Sequence, residues 1–242
     1  MTTPTFKLTA RFVGGGAGDV KRGGSRYSAA PQQETAVRRN LRIPSLLLAL
    51  IAAEPALAHH VMGGQMPATF AQGLMSGLGH PVIGLDHFAA VVAVGCLAAA
   101  HGSGTRLALG YVLAMMAGVA VHLMGASLPA AELWVAASVI GLGVVLLARR
   151  DMAAGPALVL FAVVGLLHGY ALGESIYGAE QTPLVAYLIG LAVIQGSIAL
   201  AAMSIARLLM RRMAQAAPLR LIGAGIAGVG LAILVQQLVP AV

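Results

Sequence analysis

The chain has 242 residues, of which 59% are hydrophobic and only 10% carry a charged side chain. Ordinary soluble domains carry about 25% charged residues, so this composition excludes such a domain and indicates an all-α polytopic membrane protein. The net charge of +7 does not indicate a nucleic-acid partner, because eight of the 15 basic residues precede residue 43 and the other seven flank apolar runs.

Two segments precede the predicted membrane domain. Residues 1–37 are polar and glycine-rich, and we predict that they form a disordered N-terminal extension. Residues 38–58 predict a cleaved signal peptide, because the basic pair Arg38-Arg39 is followed by a short apolar run and by the cleavage pattern Ala56-Leu57-Ala58. Cleavage there would leave His59 and His60 at the start of the mature chain. An N-terminal amine beside imidazoles can chelate a transition metal, although a solvated polar start fits equally well.

Six apolar runs follow, each with about the 20 residues that a helix needs to cross a bilayer. Residues 59–242 therefore predict a bundle of six transmembrane helices at 81–100, 107–126, 131–149, 155–173, 183–206 and 219–239. The segment Met62 to Gly79 is less apolar, and we predict that it lies outside the membrane or along its surface. Tyr111 and Tyr187 are predicted as interface anchors, and glycine pairs such as Gly169 and Gly173 as points of close helix approach.

Basic residues mark one side of the predicted bundle. With the mature N-terminus outside, every basic residue of the bundle lies on the inside. The charged side chains of the outer connections are all acidic. By the positive-inside rule, we predict that the mature N-terminus lies outside and that the number of spans is even. These basic residues are Arg106, Arg149, Arg150, Arg207, Arg211, Arg212 and Arg220.

Ionisable side chains near the outer ends of three predicted helices are candidate metal ligands. Such groups are costly at membrane depth and indicate a functional site. Helical rise places the imidazoles of His87, His122 and His168 within roughly 10 Å of the outer surface. The full set, together with the N-terminal His59 and His60, is His80, Asp86, His87, His122, His168 and Glu174.

Spacing adds detail to this candidate site. His80 and His87 are seven residues apart and are predicted to share one helix face, with Asp86 as a ligand or as an orienting partner. We predict that Gly169 and Gly173 let the fourth helix end or bend, so that Glu174 folds back over the others. Two alternatives remain open: His80-Pro81 as a helix N-cap and first turn, and His122 as a core histidine bonded to a carbonyl.

The donor types limit the chemistry. Imidazole and carboxylate without thiolate suit nickel, cobalt, zinc or iron(II). The chain contains no His-Glu-x-x-His pattern of a zinc protease and no Gly-x-Ser-x-Gly pattern of a serine hydrolase. These absences argue against both of those enzyme classes. Because no nucleotide-binding domain is recognisable, transport would be passive, ion-coupled or driven by a partner.

Two motifs resemble those of the HupE/UreJ family of bacterial membrane proteins. They are His80-Pro81-x-x-Gly84-x-Asp86-His87 and His168-Gly169-x-Ala171-x-Gly173-x-Glu174. The resemblance, which covers about residues 59 to 242, implies a nickel or cobalt permease that supplies hydrogenase, urease or cobalamin assembly. It also implies functional roles for His80, Asp86, His87, His168 and Glu174. The chain departs from the family at Leu172, where many members carry a second histidine one turn beyond His168.

Three hypotheses follow from these residues. The first is secondary uptake of Ni²⁺ or Co²⁺, with the ion as substrate and no tightly bound cofactor. The second is a non-transporting accessory or sensor subunit that binds metal within a membrane complex. The third is a membrane metalloenzyme that uses the same ligands, which a closed cage without an inward path would favour.

Overall fold

The computed structural model describes residues 65–148, 152–212 and 217–239. These residues form seven α-helices and no strand. The predicted extension 1–37, the predicted signal peptide 38–58, and His59 and His60 lie outside the described residues. The helices are α1 (Phe70–Ile83), α2 (Leu85–Ala98), α3 (Gly104–Leu123), α4 (Ala131–Ala148), α5 (Ala154–Glu174), α6 (Gln181–Arg212) and α7 (Ala217–Leu238).

Length and composition confirm the prediction of an all-α polytopic membrane protein. Within the described residues, five helices are long and apolar enough to cross a membrane, and the number rises to six if α1 and α2 count as one broken span. The five unbroken helices begin and end within three residues of the predicted spans, except that α6 continues six residues further, to Arg212.

The first predicted span differs most from the structure. A capping box between Thr69 and Gln72 starts α1 at Phe70, within the segment predicted to lie outside the membrane or along its surface. The helix breaks at Gly84, and α2 continues at an angle of 76°. The predicted start at Pro81 was therefore wrong, as was the alternative of His80-Pro81 as a helix start, because both residues lie in the last turn of α1.

Helix α2 is the centre of the bundle. With 14 residues it is about 21 Å long, too short to cross a hydrocarbon core of about 30 Å without α1. It packs against each of the other six described helices, and no residue from Ala89 to Ala98 is exposed. Alanine, glycine and valine make up most of this stretch, and their small side chains let so many neighbours approach.

Glycines lie at four close helix contacts, which confirms the predicted role of small residues. At each of these positions a Cβ atom would overlap backbone of the partner helix. Successive contacts show that α1 and α2 run parallel to α6, that α3 runs parallel to α5, and that α4 runs antiparallel to α7. These directions are those expected if successive spans cross the membrane in alternating directions. The glycines are Gly73, Gly77 and Gly95 against α6, Gly165 and Gly169 against α3, and Gly143 against α7.

Three local predictions were wrong. Helix α5 runs without interruption to Glu174, because Gly169 and Gly173 pack on α3 and do not act as a hinge. Tyr111 and Tyr187, predicted at the membrane interface, are fully buried. A tyrosine ring is large enough to fill the space between packed helices, and position in the sequence alone does not distinguish these two environments.

Candidate functional site

Two histidines from different helices meet in the interior of the bundle. His87 lies in the first turn of α2 and His168 lies one and a half turns before the end of α5, and both are buried. Their Nδ1 atoms are 2.8 Å apart. The sequence predicted that these imidazoles would converge, and the structure brings them into direct contact.

Hydrogen bonding defines how the two rings face each other. The Ser138 hydroxyl on α4 donates to the Val135 carbonyl at 2.7 Å, so its oxygen accepts from Nε2–H of His168 at 2.9 Å. A neutral His168 protonated at Nε2 has a lone pair on Nδ1. His87 then donates its Nδ1–H to that lone pair. Ser138 therefore orients His168 with its free nitrogen towards His87.

The helix break brings Asp86 and His80 to the same pair. The Asp86 carboxylate accepts from the backbone N–H of His87 at 2.8 Å, and it lies 4.0 Å from His87 Nε2. A carboxylate in the first turn of α2 is favoured by the exposed N–H groups of that helix end. The rings of His80 and His87 are 5.8 Å apart. The prediction that they share one helix face was wrong, because they lie on either side of the break.

His122 and Glu174 lie apart from this cluster. His122 packs against Gly173, Tyr170 and Tyr177, about 7 Å nearer to the end of α5 than His168 is. Its Nδ1 is buried and has no hydrogen-bond partner among the described residues. A bond from His122 Nδ1 to a backbone carbonyl, the alternative for this residue, is therefore not present there. Glu174 is exposed at the last position of α5.

The arrangement provides two imidazole nitrogens in contact and a carboxylate beside them. In the ranges 65–148, 152–212 and 217–239, no group of three or more His, Cys, Asp or Glu side chains is arranged to hold a metal ion. The buried pair can thus supply two ligands to one ion, and other ligands would come from water or from rearranged neighbours.

Sequence reasoning assigned no functional role to three buried or half-buried polar residues of the bundle. They lacked a motif, yet each stands out as a polar group in an apolar run, which is the signal that would have identified them. The Ser138 hydroxyl bonds to His168, whereas the polar atoms of the other two make no hydrogen bond to His87 or His168. The three are Ser138 on α4, Tyr111 on α3 and Gln195 on α6.

Comparison with known proteins gives a family match over most of the helical region and a shorter match to one relative. The family model described as HupE / UreJ protein matches residues 47–233. Protein HupE of Rhizobium leguminosarum bv. viciae is 31% identical over 134 residues, which are 54% of this chain and 66% of that protein. The match thus spans slightly less than two thirds of the relative's length. No solved structure matches the chain.

Proposed function

The chain belongs to the HupE/UreJ family, and from that premise we propose that it carries a divalent transition-metal ion, Ni²⁺ or Co²⁺, across the bacterial inner membrane. The ion moves from the periplasm to the cytoplasm without ATP hydrolysis by this chain and supplies hydrogenase, urease or cobalamin assembly. The protein acts as a permease, not as an enzyme. The observation that supports this function best is the buried pair of Nδ1 atoms contributed by α2 and α5.

An ion fits this pair with a small movement. Metal–imidazole bonds of about 2.0–2.1 Å place two ligand nitrogens about 3.0–3.4 Å apart, depending on the bond angle. The rings, now at 2.8 Å, need to separate by a few tenths of an ångström and to tilt, because the two nitrogens point at each other and both must point at the ion. His168 already offers a lone pair, and His87 releases its Nδ1 proton or moves it to Nε2, beside the Asp86 carboxylate.

Two protein ligands suit transport better than storage. An ion that keeps part of its water shell is held less tightly than one enclosed by four protein ligands, and a conducted ion must leave as well as enter. Leu172, fully buried on α5, stands where a second histidine would complete a chelate with His168. Its apolar side chain leaves the pair as the main binding point.

The other candidate ligands lie on the approach to this pair. Glu174, exposed at the end of α5, and His122, nearer that end than His168, would contact the ion first. His80 lies beside the pair at the end of α1, and the N-terminal His59 and His60 would capture the ion outside. The basic residues of the opposite loops support a periplasmic position for this end of the bundle.

Flux through purified protein tests the function. The full chain is reconstituted into liposomes, and the entry of Ni²⁺, Co²⁺, Zn²⁺ and Mn²⁺ is measured by elemental analysis of the washed vesicles. We expect Ni²⁺ or Co²⁺ to enter well above the rate in protein-free vesicles. Binding of these ions without entry would instead identify a metal-binding accessory subunit.

Substitution of Ser138 by alanine should weaken metal binding without removing a ligand. The change frees the His168 ring to rotate, and loss of such an orienting hydrogen bond lowers metal affinity by about 10- to 100-fold. Ni²⁺ binding to the detergent-purified chain, measured by calorimetry, gives the affinity. Ser197→Ala is the matched control, since that exposed hydroxyl bonds only to Val193 of its own helix. Equal affinities in the two variants would contradict the role of Ser138.

A further inference from the structure

Gln195 on α6 is a fully buried amide without a partner. Neither its Oε1 nor its Nε2 has a hydrogen-bond partner in the part of the chain that the structure describes, and the side chain is 0% exposed. Burying an unbonded amide costs free energy that a leucine of similar size would avoid. A polar group kept in this position inside a membrane bundle therefore points to a function that needs it.

The helix contacts place Gln195 at the break between α1 and α2. Backbone atoms of Leu191 pack against Gly77 of α1, and those of Ala199 pack against Gly95 of α2. Gln195 is four residues from each, so it lies on the same face of α6, between the two contacts. Gly77 and Gly95 lie on either side of the break at Gly84. Gln195 thus lies at the level of the break, which includes Asp86, next to the imidazole pair.

Tyr111 on α3 is a second buried polar group without a partner. Its ring is 0% exposed, and its hydroxyl makes no hydrogen bond to any described residue. Its backbone carbonyl packs on Gly165, which is three residues before His168 on α5. Because α5 runs outward, Tyr111 lies on the cytoplasmic side of the pair.

We infer that Gln195 and Tyr111 form a second station for the transported ion, built from uncharged oxygen donors and adjacent to the imidazole pair. This inference rests on the proposed function. The ligand is a hydrated divalent cation, which the amide oxygen and the phenol oxygen bind directly or through its water. Neutral oxygens hold Ni²⁺ or Co²⁺ less tightly than imidazoles do. An ion that leaves the pair can therefore rest at this station and continue inward.

Three measurements on Gln195→Leu test this station. The full chain is purified in detergent for Ni²⁺ calorimetry and for thermal unfolding, and it is reconstituted into liposomes for Ni²⁺ entry. We expect Ni²⁺ entry to fall about 10- to 100-fold, the effect of losing one polar contact to a charged group. Affinity at the imidazole pair stays within about threefold, and the melting temperature does not fall, because the substitution removes a buried polar group without a partner.

Controls separate this inference from the proposed function. Gln237→Leu makes the same change at an exposed glutamine of α7 and should leave entry unchanged. Tyr111→Phe, which removes one oxygen and keeps the ring, should also slow entry. This second variant tests the station even if Gln195→Leu does not fold. Wild-type entry in both site variants would overturn the station while leaving the permease intact. A lower melting temperature with unchanged entry would show that the amide is structural, and absence of entry in the wild type would overturn the permease itself.

Discussion

Replacing His87 by alanine is expected to lower the accumulation of Ni²⁺ or Co²⁺ about 100-fold. The variant loses one of two buried ligands, and orienting residues alone are worth about 10- to 100-fold in metal affinity. It also leaves the Nδ1 of His168 without its partner at 2.8 Å. Accumulation is measured by elemental analysis of cells that produce equal amounts of wild-type and variant protein.

The matched control for this experiment is His101→Ala. His101 lies in the turn between α2 and α3 and is partly exposed, so its loss should leave accumulation close to wild type. His168→Ala should reproduce the effect of His87→Ala, because the two rings form one binding point. Wild-type accumulation in the His87 variant at normal expression would remove the chemical basis of the permease hypothesis.

Substitution of Gly169 by alanine is expected to destabilise the bundle by about 3 kcal/mol, since inserting a methyl group into a well-packed interior costs about 1–3 kcal/mol and occasionally more. A Cβ at this position would overlap the carbonyl oxygen of Met115 on α3. Backbone cannot rotate away as a side chain can, so α3 and α5 must separate. Thermal unfolding of the detergent-purified chain measures the loss, and the displaced His168 should lower Ni²⁺ affinity as well.

Gly141→Ala provides the comparison for Gly169→Ala. Gly141 lies on an exposed face of α4, where a Cβ meets no atom within 4 Å. Alanine favours a helix by about 1 kcal/mol over glycine, so this variant should be equally or slightly more stable than wild type. Equal unfolding temperatures for the two variants would contradict the role of Gly169 in the close packing of α3 on α5.

Much of the fold follows from the sequence because apolar runs of about 20 residues leave few alternatives in a membrane. The family resemblance, derived from two histidine motifs, is confirmed by the family match over residues 47–233. The convergence of His87 and His168 was also predictable. Both occupy the outer part of predicted spans, and a buried imidazole needs a polar partner.

The remaining features depend on contacts between helices, which no local pattern contains. Pro81 and Gly84 indicate a helix end, and Thr69 with Gln72 has the pattern of a helix start, yet neither pattern contains the 76° turn of the chain at Gly84. Sequence spacing placed His122 at the level of the pair, but the register of α3 on α5 sets it about 7 Å further out. Ser138 has no motif and was found only through its hydrogen bond to His168.

The central position of α2 has a consequence for redesigning ion selectivity. Every residue from Ala89 to Ala98 is enclosed by neighbours, so a larger side chain there would disturb several helices at once. A change at Leu172 on α5 or at Ser138 on α4 would meet fewer neighbouring helices, because each of these two helices packs mainly on three others. Engineering towards another cation should therefore begin with libraries at those two positions and leave the central helix unchanged.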